Sequence, residues 1–113
     1  MEKIFEQAIL YDFYGALLNE HQRMIFEEYV IDNFSLSEIA EEHGISRQGV
    51  HDLIKRISRI LEGYEEKLHL VSKFMIVKDK INSINEVART MTGEDSTKSA
   101  RIITLSEEII DEL

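Results

Sequence analysis

The chain has 113 residues, a length typical of one compact domain, and contains no cysteine, proline or tryptophan. The lack of cysteine excludes disulfides and thiolate metal sites, and the lack of proline favours a helical fold because proline breaks helices. No apolar stretch approaches the roughly 20 residues that a membrane helix needs. The start, Met1-Glu2-Lys3, leads into a mixed pattern unlike a signal peptide. We expect a cytoplasmic protein without membrane association.

Charge is distributed unevenly along the chain, whose formal net charge is −9. This sum disfavours a simple nucleic-acid binder, because basic groups drive phosphate binding. Residues 1–34 hold two cations and seven acids, and residues 83–113 hold three cations and seven acids. In contrast, residues 47–61 hold four cations and one acid, Asp52. A locally basic stretch is therefore predicted, and the acidic ends would repel DNA unless they face away from it.

Two helices are predicted before residue 33. Apolar positions recur at helical spacing over residues 3–18, and they are Ile4, Phe5, Ala8, Ile9, Tyr11, Leu17 and Leu18. Asn19 and Gln22 have the spacing of a capping box. A second helix is therefore expected to run to about Asp32, with its buried positions at Met24, Ile25, Tyr29 and Val30.

Residues 35–61 have the pattern of a helix-turn-helix. Ser35 and Glu38 have the spacing of a capping box, which predicts a helix from there to about His43. Gly44 is expected to end this helix in the left-handed conformation. Ser46 is expected to cap a recognition helix at 46–60. A tight two-helix unit requires small and apolar residues at its crossing. The expected set is Ile39, Ala40, Gly44, Ile45, Val50 and Leu53. A plain helical hairpin with a solvated basic face is the alternative.

The free face of the recognition helix is the candidate nucleic-acid-binding site. Its residues are Ser46, Arg47, Gln48, His51, Asp52, Lys55, Arg56 and Arg59. Arg47 and Gln48 lie in the first turn, where they suit bidentate contacts to guanine and adenine. Ser46 with the helix N-terminus suits a phosphate, and the later cations suit the nucleic-acid backbone. The same unit can also bind protein or RNA in place of DNA.

A family resemblance supports this interpretation. Residues 29–52 and 54–56 resemble sigma-70 region 4. They read Tyr29-Val-Ile-Asp-Asn-Phe-Ser-Leu-Ser-Glu-Ile-Ala-Glu-Glu-His-Gly-Ile-Ser-Arg-Gln-Gly-Val-His-Asp and Ile54-Lys-Arg. Residues 8–75 look more closely like the YlxM family of Gram-positive bacteria. The flanking segments also agree with that family, and they are Tyr11-Asp-Phe-Tyr, Leu17-Leu18 and Leu61-Glu-Gly-Tyr-Glu-Glu-Lys-Leu-His-Leu.

The resemblance implies a small helical protein encoded beside the GTPase of the signal recognition particle. It also implies a DNA-binding regulator or a modulator of that particle, whose partners are the GTPase and its small RNA. The family usually has alanine where this chain has Gly49. Since glycine inside a helix costs about 0.5–1 kcal/mol, a looser first turn of the recognition helix is expected.

The second half predicts a long helix and an acidic last helix. A helix from about Glu62 to Met91 carries two apolar stripes, which are Leu61, Tyr64, Leu68, Val71 and Met75, then Phe74, Val77, Ile81, Ile84, Ala88 and Met91. Asp95 or Ser96 is expected to cap the last helix, whose apolar positions are Ile102, Ile103, Leu105, Ile109, Ile110 and Leu113. Either this helix covers the second stripe, or two copies pair as a homodimer.

The predicted fold is therefore all-α and free of a β-wing. Residues 1–61 form a helical domain around the helix-turn-helix, and residues 62–113 add the long and last helices to the same compact domain. Two functional classes are retained. In the first, the chain is a sequence-specific DNA-binding regulator that acts as a dimer. In the second, it modulates the signal recognition particle through the GTPase or its RNA.

Enzyme and metal chemistry find little support in the residue pattern. Four histidines (His21, His43, His51 and His69) are scattered, without a metalloprotease motif, a phosphate loop or a nucleophile elbow. Solvated surface histidines are favoured over a metal that His43 and His51 share with Glu41 or Asp52. No catalytic residue, cofactor or small-molecule substrate is expected.

Overall fold

Residues 3–112 are described by a computed structural model, and in that range they form six α-helices, two short 3-10 turns and no β-strand. The helices are α1 (Lys3–Tyr14), α2 (Glu20–Val30), α3 (Leu36–His43), α4 (Arg47–Leu68), α5 (Leu70–Arg89) and α6 (Ser96–Glu112). The 3-10 turns are Gly15–Leu17 and Gly93–Asp95. Within these bounds, no helix has both the length and the apolar character to cross a bilayer. The predicted all-α fold is confirmed.

Two compact units divide the chain, Met1–Val71 and Ser72–Leu113. The first holds α1 to α4, and the second holds α6 and all but the first two residues of α5. The helix boundary expected between residues 61 and 62 is wrong, because α4 continues without interruption to Leu68.

Local capping fixes the helix starts of the first unit as the sequence predicts. Both capping boxes are formed, with Asn19 bonded to Gln22 and Ser35 bonded to Glu38. The backbone N–H and the hydroxyl of Ser35 both bond Glu38 and lower the pKa of its carboxyl. Gly44 ends α3 in the left-handed region at φ 66°, where a residue without Cβ is unstrained.

The core of the first unit lies between α1, α2, α3 and α4. Its buried apolar residues are Tyr11, Tyr14, Leu18, Ile25, Phe26, Ile39, Ala40, Val50, Ile54, Ile57 and Leu61. This confirms Ile39, Ala40 and Val50 as core positions. The stripe on α4 then continues through Ile54, Ile57 and Leu61, since the longer helix extends the same face along its neighbours.

Several predicted core positions are wrong. Ile45 is 41% exposed, because the turn after α3 is closed by its backbone: the Ile45 N–H donates to the Ala40 carbonyl at 3.1 Å. Leu53, in contrast, is half-buried and packs against the core, in agreement with its predicted position. On α2, Met24 is exposed whereas the neighbouring Phe26 is fully buried, so the inner face of this helix is centred on Ile25 and Phe26.

The predicted long helix from Glu62 to Met91 is wrong, because the chain breaks at His69. His69 adopts the left-handed conformation at φ 56°, which separates α4 from α5. The Tyr14 hydroxyl donates to Glu65 Oε1 at 2.5 Å and accepts the Leu70 N–H at 3.1 Å. The Val71 N–H donates to the same Glu65 oxygen at 3.0 Å. The first amides of α5 are therefore capped by side chains of α1 and α4.

In the second unit, α5 and α6 meet where the Ser99 hydroxyl donates to the Ala88 carbonyl. The buried residues of this unit are Ile81, Asn85, Ala88, Ser99 and Ser106. Many apolar side chains stay exposed, namely Met75, Ile76, Val77, Ile84, Val87, Met91, Leu105 and Ile109. The last helix thus contacts α5 but leaves much of the second stripe uncovered. Ser96 is the first residue of α6, directly after a 3-10 turn, and Leu113 lies outside the described residues.

Removing the Tyr14 hydroxyl should destabilise the first unit and loosen the start of α5. Tyr14→Phe removes a buried hydroxyl that bonds both the Leu70 N–H and the Glu65 carboxylate, at a cost of about 1–3 kcal/mol. Urea unfolding followed by circular dichroism measures the loss, and hydrogen exchange at Leu70 measures the loosening.

Tyr64→Phe is the matched control for this change. The Tyr64 ring lies 5.9 Å from that of Tyr14, and its hydroxyl forms no hydrogen bond within residues 3–112. We expect the control to unfold within about 0.5 kcal/mol of the parent protein. Equal losses in the two variants would contradict the capping role of Tyr14.

Candidate nucleic-acid interface

The first half of α4 presents one face to solvent and the opposite face to the core. All eight predicted site residues, from Ser46 to Arg59, are exposed. Val50, Ile54 and Ile57 alternate with them at helical spacing and are buried. Because the buried side chains fix the rotation of α4 about its axis, the candidate face is held outward as a rigid surface.

The first turn of α4 is closed by its cap. The Gly49 N–H donates to Ser46 Oγ at 2.9 Å, as the sequence predicts for an N-cap serine. A Cβ added at Gly49 would lie 3.1 Å from the same oxygen. The glycine therefore leaves space for the cap hydroxyl, and the capping bond opposes the looseness expected from glycine in this turn.

Asp52 organises the middle of the face. Gln48 Nε2 donates to Asp52 Oδ1 at 3.0 Å, and His51 Nδ1 lies 3.5 Å from the same oxygen. The Asp52 carboxylate thus orients the Gln48 side chain, which lies one helical turn before it. It also places a negative charge among the cations. Gln48 donates one N–H to Asp52, which leaves its second N–H and its amide oxygen for a base.

The cations of the face carry no intramolecular partner in the part of the chain that the structure describes. Arg47, Lys55, Arg56 and Arg59 are exposed and take part in no ion pair between residues 3 and 112. An exposed cation without a carboxylate partner is available to a phosphate. The face can therefore bind a polyanion without first breaking a salt bridge.

A cleft of about 370 Å³ adjoins this face within the first unit, and α1 forms its other side. His51, Lys55 and Arg59 line it from α4, and Lys3 lines it from α1. At its floor Gln7 Nε2 donates to Ser58 Oγ at 2.5 Å, and both residues are buried. Sequence reasoning missed Lys3 and Gln7, because the pairing of α1 with α4 joins positions 51 residues apart and leaves no local signal.

His43 is not the solvated surface histidine that the sequence predicts. Its Nε2 lies 3.0 Å from both carboxylate oxygens of Glu28, a buried residue of α2. Glu42 is close enough for one ligand atom of each of the three residues to lie within 4.8 Å of the others. This group does not include His51, so a metal shared by His43 and His51 is not supported. The Glu28–His43 contact joins α2 to α3.

Asp52 should limit the affinity of the face for nucleic acid. Asp52→Asn removes a negative charge among the cations, and we expect duplex binding to strengthen about threefold to fivefold, since one charge at contact distance in water is worth about 1 kcal/mol. Fluorescence anisotropy with a labelled duplex at low salt measures the change.

Glu66→Gln is the control for Asp52→Asn, since it removes an acid from the same helix about 21 Å farther along its axis. At that separation, beyond the Debye length of about 10 Å at 0.1 M salt, the affinity should stay unchanged. An equal gain in both variants would show that net charge, and not the local face, governs binding.

Comparison with known proteins agrees with this geometry. Residues 1–101 match the model of the UPF0122 family, the YlxM/p13-like helix-turn-helix proteins. The chain is 41% identical to a UPF0122 protein of Acetivibrio thermocellus over 100% of this chain and 97% of the relative. It is 44% identical to the UPF0122 protein YlxM of Bacillus subtilis over 84% and 86%, respectively. It is also 45% identical to a UPF0122 protein of Streptococcus gordonii over 94% and 93%. The chain therefore belongs to the UPF0122 family of YlxM/p13-like helix-turn-helix proteins, as its resemblance to YlxM predicts.

Proposed function

We propose that this protein binds nucleic acid through the exposed face of α4 and acts as a DNA-binding regulatory protein of the signal recognition particle pathway. The observation that supports this most directly is a set of four exposed cations, behind a capped helix N-terminus, that form no ion pair with residues 3–112. A helix N-terminus and exposed arginines suit phosphates, and Arg47 with Gln48 suits base edges. In this proposal the protein works in the cytoplasm, by binding and not by catalysis.

The overall charge sets the expected strength of this interaction. With a net charge of −9, the chain lacks the long-range attraction of a basic protein, so its affinity depends on the local contacts of α4. If four cations each neutralise one phosphate, log K should fall against log salt with a slope of about −3 to −4. Such binding is strong at low salt and weak at physiological salt.

Partners in the protein-targeting pathway follow from the family resemblance. The GTPase of the signal recognition particle and its small RNA are the proposed partners, and the RNA is an alternative ligand for the α4 face. The acidic stretches at residues 1–34 and 83–113 suit a basic protein surface. This second role needs no DNA sequence preference.

A homodimer formed by the second unit is part of the regulator proposal. Ile84, Val87 and Met91 of α5 are exposed and border an apolar groove of about 290 Å³ that Ile102 of α6 completes. Exposed apolar surface of this kind favours association between proteins. A dimer would place two α4 faces on one nucleic acid, as sequence-specific helix-turn-helix regulators do.

The base-reading role of the first turn can be tested with a double variant. Arg47→Ala with Gln48→Ala should abolish preference for one duplex sequence over another, because these side chains are placed to read bases. It should also make the salt slope less negative by about 0.9, because Arg47 is one of the four cations taken to neutralise a phosphate. Binding is measured by anisotropy on promoter-region duplexes across a salt series.

Lys67→Ala serves as the charge-matched control, since Lys67 lies on α4 about 30 Å from Arg47 along the helix axis. It should keep both the preference and the slope. Binding of the parent protein that does not respond to salt, or no binding at low salt, would refute nucleic-acid recognition by this face.

The pathway role predicts association with the particle itself. The protein should co-purify with the GTPase and its RNA and change the rate of GTP hydrolysis at micromolar concentrations. The Arg47→Ala, Gln48→Ala variant should retain protein association, because its changes are confined to the α4 face. Loss of association in that variant would assign the contact to nucleic acid, and no association of the parent protein would reject the pathway role. Sedimentation of the same samples reports whether the protein is a dimer.

A further inference from the structure

We propose that the cleft between α1 and α4 is a nucleotide subsite, which takes one unpaired nucleotide of a bound nucleic acid. The base enters the cleft, and the phosphates on either side of it lie on the cationic rim. This inference rests on the proposed nucleic-acid binding by α4 and specifies the form of nucleic acid that this surface prefers.

The cleft has the size and enclosure of a ligand site. Its volume is about 370 Å³, within the range of small-molecule pockets. All of its walls belong to the first unit, with Ile4 and Gln7 from α1, Tyr29 from α2 and Ile54 from α4.

The floor of the cleft is polar although it is buried. Gln7 is 7% exposed and Ser58 is 5% exposed, and the Gln7 amide donates to the Ser58 hydroxyl. A carboxamide has two N–H donors and one acceptor oxygen, so the bond to Ser58 leaves it further capacity. An amide beside a hydroxyl matches the mixed donors and acceptors on the edge of a nucleobase. A purely structural core contact would more commonly be apolar at this depth.

The walls provide surfaces for the flat faces of a base. Tyr29 is half-buried and lines the cleft, and Ile4 and Ile54 supply aliphatic surface. Unpaired bases are commonly held by stacking on aromatic side chains, which accept any base because every base has a π-face. The polar floor is then the part of the cleft that distinguishes one base from another.

The rim is cationic and continuous with the α4 face. His51, Lys55 and Arg59 follow one another at intervals of four residues along α4, and Lys3 lies across the cleft on α1. Glu62 is the acid among the residues that line the cleft. Since Lys55 and Arg59 also belong to the predicted nucleic-acid face, a backbone bound to α4 passes directly over the opening.

The nucleotide must be unpaired to use this site. In a continuous duplex the base-pairing edge is occupied and the base faces are stacked, so a concave pocket has no access to them. A bulged or looped nucleotide has both surfaces free. The subsite therefore selects against uninterrupted duplex and in favour of nucleic acid with an extruded nucleotide.

The test compares two hairpin probes that differ in one nucleotide. The first is a continuous duplex stem, and the second carries a single bulged 2-aminopurine in the same stem, each made as RNA and as DNA. We expect the bulged probe to bind at least fivefold more tightly at equal salt. We also expect its fluorescence to fall on binding, as the 2-aminopurine stacks in the cleft.

Rim variants locate the effect without disturbing the core. Gln7→Ala removes a buried hydrogen bond and so perturbs the fold itself. The test therefore uses the exposed Lys3, which lies outside the predicted face. Lys3→Ala should weaken the bulged probe more than the continuous stem, and so reduce the preference for the bulged probe to below twofold. Arg56→Ala is the matched control, because Arg56 is exposed on α4 but does not line the cleft. It should weaken both probes equally.

The outcomes separate this inference from the proposed function. Equal, salt-dependent affinity for the two probes would overturn the subsite and leave nucleic-acid binding by α4 intact. A bulge preference that Lys3→Ala retains would overturn the placement of the nucleotide in this cleft. Binding of neither probe at low salt would overturn both proposals together.

Discussion

The burial of one stripe on α4 is the constraint on which the first unit depends. Val50, Ile54, Ile57 and Leu61 are at most 6% exposed and pack among α1, α2 and α3. Burying such a stripe contributes about 1.5–3 kcal/mol for each fully buried large aliphatic side chain, far more than any surface ion pair. Because those side chains fix how α4 is turned, the same contacts that stabilise the core also determine which residues face solvent. Core and candidate interface are two sides of one helix.

The end of α4 depends on a second, polar constraint. Tyr14 is 1% exposed, and its hydroxyl bridges Glu65 and the first amide of α5. Burial, followed by the hydrogen bond to Glu65, raises the pKa of this hydroxyl, so it stays a neutral donor at physiological pH. A partly buried amide without a partner would cost free energy. The Tyr14 hydroxyl is the partner of the Leu70 amide, directly after the helix break at His69. The Val71 N–H also bonds Glu65, so the hydrogen bonds of the first unit extend to its last residue.

Charge gives the interface its character within an acidic chain. Among the described residues, the cations of the α4 face form no ion pair, while acids such as Glu28 and Glu65 are engaged in contacts between helices. Asp52 is the exception, since it lies on the face and holds Gln48 in place. A surface of this kind favours selective contacts over strong general attraction to phosphate. The adjoining cleft adds a concave, polar-floored element that a plain recognition helix lacks.

The sequence alone determined the features that arise from residues close together in the chain. The capping boxes at Asn19 and Ser35, the left-handed Gly44, the Ser46 cap and the exposed face of α4 all follow from spacings of four residues or fewer, or from helical periodicity. Only the tertiary structure decided the break at His69, the burial of Phe26 in place of Met24, and the joining of Lys3 and Gln7 to the α4 face. Position 69 is a histidine, so no glycine indicates a left-handed residue there. The amides that follow it, of Leu70 and Val71, bond Tyr14 and Glu65, which are 51 residues apart. Local hydrogen bonds are encoded by neighbouring residues, whereas a contact between distant segments forms only when their packing brings them together.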